Sequence, residues 1–419
     1  MENIFDIIIL GGGIAGLYSA HKIAKSHPNK TMLILEKDNV LGGRIKTYKD
    51  DKMQVEAGAG RFHDGHKKLL SLLGELDLAK YMIKIDAGNT YYDIHTKTPI
   101  KNPNIPLLAK LVSNSSAFST NELRNMSLIR YASHVLSKDE IKTIEDTFGY
   151  YTELVMMSAA DCLTLITEQL SPKNTFYTLN GGLRRIIDKL EENLTAHKTM
   201  TILRKHNVLN IRRDGFATYE VSFHNRKITY KAKQIISALP KQVLEKIQFF
   251  SPIHNILKKS IFCGSLCRIY SVFPVKNGKS WFDNLPKFTT NNNLRIVIPI
   301  DAKQGVIMSS YSDNKFSKFW KEIYNKGGEQ YMNRELVRLL QESTGIMNIP
   351  MPTKTEIFYW EYGVGYWKIG IDSEDVSKKI IQPLKGENVF ICGESYSLLQ
   401  QQWMEGALET ADIVAERIK

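Results

Sequence analysis

Gly11-Gly12-Gly13-Ile14-Ala15-Gly16 constrains this chain more than any other stretch, because of what surrounds it. Ile4 to Leu10 (IFDIIIL) is a nearly continuous apolar run, as expected of a parallel strand buried on both faces. Ile14 to Lys25 has helical spacing, with Leu17, Tyr18 and His21 on one side, and Pro28-Asn29 ends it. Thr31 to Glu36 is a second buried strand, so the start predicts a strand–glycine turn–helix–strand unit. Gly11 permits the tight turn, Gly13 lets backbone approach a pyrophosphate, and Gly16 lets the helix pack on the strand. The helix start with Ile14 and Ala15 offers free N–H groups and a positive dipole end to phosphate. Glu36 stands twenty residues after Gly16, where a carboxylate accepts from both ribose hydroxyls of a dinucleotide. An acid there repels a 2′-phosphate, so NADP fits poorly.

The 419 residues predict two or three domains with room for a large core. Cys162, Cys263, Cys267 and Cys392 are too few and too scattered for a disulfide scaffold or a zinc site. His63 and His66 are three apart, but no His/Asp/Glu cluster supports a metal, so none is expected; surface or substrate-entrance positions suit them better. The net charge of +12 is spread in short pairs such as Lys67-Lys68 and Arg184-Arg185, which excludes the clustered patch that nucleic acid needs. No secretion signal precedes Ile4 and no run of 18 apolar residues occurs, so a cytoplasmic chain without a membrane span is expected.

The remaining pattern places β-rich segments and helices on either side of each other. A helix is expected from His66 to Tyr81, and Ser119 to Leu170 is mostly helical, with Ser137 and Glu140 as a capping box. Strands are expected at Gln234–Leu239, Arg268–Phe273 and Asn388–Cys392, and helices at Glu329–Ser343 and Glu405–Lys419. Gly42-Gly43-Arg44 follows the acid closely, so backbone and a guanidinium can meet a pyrophosphate. Gly58-Ala59-Gly60-Arg61 is a second small-residue stretch where backbone could lie against a flat ring, and Gly393-Glu394 and Trp403-Met404 lie near the end. Pieces so far apart suit a long FAD better than NAD.

These pieces together resemble the flavin-containing amine oxidase family of monoamine, polyamine and L-amino-acid oxidases. The matching segments run in family order: residues 9–17, Leu35-Glu36-Lys37, Gly42-Gly43-Arg44, Asn180-Gly181-Gly182-Leu183, Gly264 to Arg268, Gly363 to Trp367, Cys392-Gly393-Glu394 and Trp403 to Ala411. The resemblance implies an α/β fold. An FAD-binding domain would be assembled from 1–75, 176–260 and 383–419. A substrate domain would come from 76–175, mainly helical, and 261–382, a mixed sheet. By resemblance Glu36 holds the adenosine ribose, Arg44 the pyrophosphate, Val208 the adenine side and Glu394 the ribityl or pyrophosphate region. The N–H groups around Trp403-Met404 face the flavin pyrimidine. Two rings, Trp403 and either Trp367 or Tyr366, would form an aromatic cage across the flavin.

Gly58-Ala59-Gly60-Arg61 is similar to the L-amino-acid oxidase pattern whose arginine grips the substrate carboxylate. Arg61 therefore points to an amino acid, unless it pairs with a protein acid or with the cofactor. Two departures matter: Gly363–Trp367 holds no cysteine, so the FAD is expected to be non-covalent, and the family's lysine near flavin N5 falls at Arg268. Arginine cannot act as a base, although its charge can serve oxygen or substrate. The implied activity is hydride transfer from the amine-bearing carbon to flavin, then imine hydrolysis to keto acid and ammonia, with O2 reduced to H2O2. The alternatives are a mono- or polyamine oxidase with a structural Arg61, a desaturase or porphyrinogen-type flavin enzyme, and an FAD-stabilised binding protein. Small amines or amino acids and O2 are the expected partners, and homo-oligomerisation stays open.

Overall fold

The structure, a computed structural model, describes residues 4–86, 88, 90–215, 218–224 and 226–418. Its first sheet has seven strands. Ile4–Leu10 lies centrally, parallel to Met32–Leu35 on one side and Arg226–Ser237 on the other, so Ile9 faces Ile34 and Ile236. Met200–Leu203 extends the parallel part beyond Met32–Leu35, and Val389–Ile391 pairs in parallel with Arg226–Ser237. Tyr219–Phe223 and Val208–Arg213 add antiparallel strands.

The unbroken apolar run of the first strand has a simple cause: both faces of the sheet are covered. Ile7 and Ile9 pack with Leu17, Ile186, Leu190, Leu408 and Ala411 from helices Ile14–Ser26, Arg184–Thr195 and Met404–Arg417. Ile8 and Leu10, pointing the other way, pack with Leu244, Leu257 and Ile380. The period of two along a strand thus divides one apolar segment between two cores. The first helix can lie this close only because residue 16 is glycine. A Cβ there would stand 2.1 Å from the Gly11 carbonyl oxygen.

A second seven-stranded sheet is mostly antiparallel, in the order Lys354–Trp367, Ile261–Val272, Val306–Asp313, Ile296–Asp301, Phe288–Thr290, Thr90–Tyr92, Pro99–Lys101. The strand expected at Arg268 begins seven residues earlier, at Ile261. Ile261 to Gly264 complete a ladder with Val364 to Trp367, a pairing that the small Gly264 and Ser265 conceal in the sequence. The helix expected from Glu329 likewise starts earlier, at Asn314, and is broken at Gly328, whose φ of 62° is not helical. Trp320, Leu336 and Leu340 of this helix pack beneath the second sheet.

Residues 104–169 form a block of short helices around Leu111, Tyr131, Ile144, Leu154 and Cys162. The Ser137–Glu140 capping box closes there as the sequence predicts. The helix expected over 66–81 splits into Lys67–Glu75 and a short turn at Ala79–Tyr81, with Asp77 at φ 55° between them. Among the described residues no helix is long and apolar enough to cross a membrane. Gly16→Ala drives a methyl group into the Gly11 carbonyl, so urea denaturation of that variant should show a stability loss of about 1–3 kcal/mol, together with weakened flavin retention. A variant matching the parent midpoint and flavin content would contradict the close packing.

Candidate functional site

The glycine turn ends in open backbone. Gly13 starts the first helix without a side-chain cap, and a Cβ on it would meet nothing within 4 Å. Ile14 and Ala15 behind it are buried, which fixes the helix start in place. Gly42 N–H donates to the Gly12 carbonyl at 2.8 Å, bringing Gly43 against the Gly13 Cα. Two glycine loops thus meet beside the open, uncapped start of the first helix, a cradle of the kind a pyrophosphate needs. Glu36 is buried at the end of its strand. Its Oε2 accepts from the Gly12 N–H at 2.8 Å, and Oε1 from the Asp38 N–H at 2.8 Å. A cleft of about 390 Å³ opens beside it, lined by Lys37, Asp38, Lys205, Asn207, Phe223 and Arg226. Val208 begins the strand at the edge of this cleft, paired with Phe223. Lys37 points outward and pairs with Asp38 at 2.6 Å. The donors, the carboxylate and the cleft fit a dinucleotide.

Arg44 and Glu394 are joined by an ion pair, and Arg44 Nη1 also donates to the Gly363 carbonyl at 3.0 Å. Glu394 collects further donors: Ser395 Oγ at 2.6 Å, Gln402 N–H at 2.9 Å and Gly365 N–H at 3.4 Å. Burial alone would raise its pKa; Arg44 and the other donors override burial and hold it below the usual carboxyl value. Gly393 precedes it, with its N–H on Thr410 Oγ1 at 2.9 Å. Trp403 stands at the start of helix Met404–Arg417 with no side-chain cap, and Met404 behind it is buried.

Arg61 lies on aromatic faces, its Cζ 4.6 Å from the Phe176 ring centre and 5.8 Å from that of Trp403. Its Nη2 donates to the Tyr150 hydroxyl at 2.9 Å. Among the described residues no carboxylate forms an ion pair with it. Arg268 stacks on Tyr311 at 4.7 Å and donates to the Glu56 carbonyl at 3.0 Å. It also fills the space in front of Gly60, where a Cβ would stand 2.6 Å from Nη1. A guanidinium thus borders the Gly60 backbone that the sequence assigns to a flat ring of the cofactor.

The two candidates for the second cage ring lie apart from Trp403, on opposite faces of their strand. Trp367 is 1% exposed, its Nε1 donating to the Ser397 carbonyl at 3.1 Å within the core that holds Ile261 and Tyr396. Tyr366, on the opposite face of the strand, packs against Phe262 and the helical block, its hydroxyl 3.4 Å from Glu153 Oε1. Neither makes a ring contact with Trp403. The rings at Trp403 are instead His63, His66 and Phe176, with centroids 5.6, 4.9 and 6.4 Å away.

The two histidines are therefore not at the surface, being 1% and 0% exposed. His63 Nδ1 accepts from Gly65 N–H, His66 Nδ1 accepts from His63 N–H, and both Nε2 atoms face Gln169 Oε1, at 2.9 and 3.2 Å. This network assigns the proton of each neutral ring to Nε2. Burial, then the neighbouring His63, pushes His66 down to about 3, so the pair stays neutral. Gln169 ends a π-helical turn, Leu165–Gln169, which no sequence period reveals. Tyr150, Glu153, Tyr311 and Asp313 were also missed, because their meeting depends on how the helical block docks on the second sheet.

Asp313 accepts from the Tyr151 and Thr152 N–H groups at 3.0 and 2.6 Å. Burial, reinforced by Asp313, pushes the Glu153 carboxyl up to about 8. Between its ordinary value of 4.5 and about 8 the folded chain keeps a proton that the unfolded chain has lost, so this group's stability contribution is lost as pH rises through that window. Glu153→Gln removes the ionisation. Thermal unfolding should show the variant gaining on the parent between pH 5 and pH 9, whereas parallel pH profiles would contradict a buried protonated Glu153.

A model of flavin containing amine oxidoreductases matches residues 14–419. An uncharacterized protein of Acanthamoeba polyphaga mimivirus is 23% identical over 476 residues, spanning 97% of this chain and 92% of that protein. An L-amino-acid oxidase of Mus musculus is 36% identical over 91 residues, 21% of this chain and 14% of that protein. Among solved structures, a putrescine oxidase redesigned in its cofactor binding has the same fold, with a TM-score of 0.78 at 12% identity, over 100% of this chain and 99% of that one. The chain belongs to the flavin containing amine oxidoreductase family and is an FAD-dependent oxidoreductase.

Proposed function

We propose that the protein oxidises an L-amino acid. The carrying observation is Arg61: a guanidinium held on two aromatic rings, with a tyrosine hydroxyl beside it and no protein carboxylate paired to it among the described residues. A cation kept this way is matched by a substrate carboxylate, which can take two parallel N–H bonds from a planar fork. The sequence likeness to an L-amino-acid oxidase supports the same choice.

FAD, when bound, accepts hydride from the amine-bearing carbon and passes the electrons to O2. The chain supplies the rest. Residues 1–75, 176–260 and 383–419 would bind the cofactor: Gly11 and Gly16 shape the turn and the close helix, the backbone at Gly13, Ile14, Ala15 and Gly43 would face the pyrophosphate, and Glu36 would receive the ribose hydroxyls. Arg44 uses Nη1 for Glu394 and Gly363, so its remaining nitrogens can turn to a phosphate oxygen. The helix start at Met404 presents N–H groups that favour negative charge. Arg61 and the Tyr150 hydroxyl would hold the carboxylate, while Phe176 and Trp403 keep water out and favour the neutral amine. Arg268 stays protonated and adds positive charge without taking a proton. The imine product hydrolyses to keto acid and ammonia.

A second reading, a mono- or polyamine oxidase, is favoured by the Tyr150 bond, which would then make Arg61 a strut between the helical block and the aromatic wall. Kinetics of Arg61→Ala separate the two. On the amino-acid reading, kcat/KM for the best amino acid drops by about 2–5 kcal/mol while flavin content holds, and Arg61→Lys recovers part of the loss. If Arg61→Ala leaves amino-acid turnover intact, or removes the flavin instead, Arg61 is a strut.

A further inference from the structure

The amino-acid reading leaves a second guanidinium unexplained. Arg268 is like Arg61 in three respects. It lies on an aromatic face, it hydrogen-bonds to an uncharged oxygen, and no carboxylate among the described residues forms an ion pair with it. The nearest acid, Glu56, turns its carboxylate to the Thr47 hydroxyl and the Leu183 N–H instead. Arg268 packs against Gly60, the residue before Arg61. A pair of edge-to-face tyrosines, Tyr150 and Tyr311 with centroids 5.9 Å apart, links the partners of the two cations.

Other buried charges nearby are neutralised within the fold. Arg44 is matched by Glu394, Arg295 lies in the field of Asp313, and Glu153 keeps its proton. The two guanidiniums are thus the charges of this wall without an ion-paired carboxylate among the described residues, with the Glu56 carboxylate acting on Arg268 only from a distance, in a setting poor in water where a counter-anion is worth most. Resting on the amino-acid reading of the same site, we propose that the substrate carries a second anionic group: an acidic L-amino acid, with its α-carboxylate on Arg61 and its side-chain carboxylate on Arg268. A polyamine would meet like charge at both positions, and a neutral side chain would leave Arg268 without its partner.

Dead-end ligands test this without turnover. The flavin-loaded protein is titrated with glutarate and with glutaramate, its mono-amide, while the visible flavin spectrum is followed. The pair differs only in one charge. Glutarate should bind about tenfold more tightly or better, as a charge-assisted bidentate contact implies. L-glutamate should outperform L-glutamine in kcat/KM by a similar factor. Arg268→Met should bring the glutarate-to-glutaramate ratio towards one, and Arg268→Lys should restore part of it. Should the Met variant fail to fold, the ratio in the parent protein decides alone. Equal affinity for both ligands, with both lost in Arg61→Ala, overturns the second anion but keeps the amino-acid reading. If neither ligand perturbs the spectrum, both fail together.

Discussion

The ion pair between the half-buried Arg44 and the buried Glu394 ties together parts of the chain that are hundreds of residues apart. Arg44 belongs to the second glycine loop, which leans on the first through the Gly42–Gly12 hydrogen bond. Glu394 follows the last strand of the first sheet and also receives the N–H groups of Gly365, from the second sheet, and Gln402, just before Trp403. One carboxylate thereby links the glycine loops, the edge of the second sheet and the start of the final helix. Removing Arg44 would leave the Glu394 carboxylate buried without its charged partner. Both residues therefore serve the architecture as well as any cofactor they touch.

Around this hinge point the charges fall into two sets. Some are closed within the protein: Arg44 with Glu394, Asp313 on the N–H groups of Tyr151 and Thr152, Glu153 protonated. Arg61 and Arg268 are different, since each is supported by an aromatic ring and an uncharged oxygen. A ring face lowers the cost of holding a cation away from water without neutralising it. The arrangement keeps both guanidiniums charged, which is what the proposed carboxylate substrate requires. The neutral His63–His66–Gln169 network adds no charge of its own and fixes the rings behind Trp403, so Arg61 keeps a flat surface beneath it.

Much of this was legible in the sequence where the physics is local. The run Ile4–Leu10, the turn Gly11–Gly16 and Glu36 specify a strand, a close helix and an acid in register, because each constraint acts over a few residues. The Ser137–Glu140 capping box is local in the same sense. Arg61 could be singled out by its motif. Its isolation from protein acids could not, since that depends on Tyr150 and Phe176 arriving from other segments. Gly60 shows the limit clearly: its small size was visible, but the guanidinium that packs against it comes from a strand two hundred residues later. Trp367 and Tyr366 are neighbours on a strand and so face opposite layers, and the pattern alone does not say which layer borders the site. His63 and His66 looked isolated because their shared partner, Gln169, lies in a π-helical turn.

The most direct test of the account is anaerobic mixing of the flavin-loaded protein with an L-amino acid, its D-isomer and its decarboxylated amine, following loss of the oxidised flavin absorbance. An enzyme that aligns its substrate through a carboxylate on Arg61 should be bleached by the L-amino acid and scarcely by the other two. Faster bleaching by the decarboxylated amine than by its parent amino acid would contradict the account and leave Arg61 a structural residue of an amine oxidase.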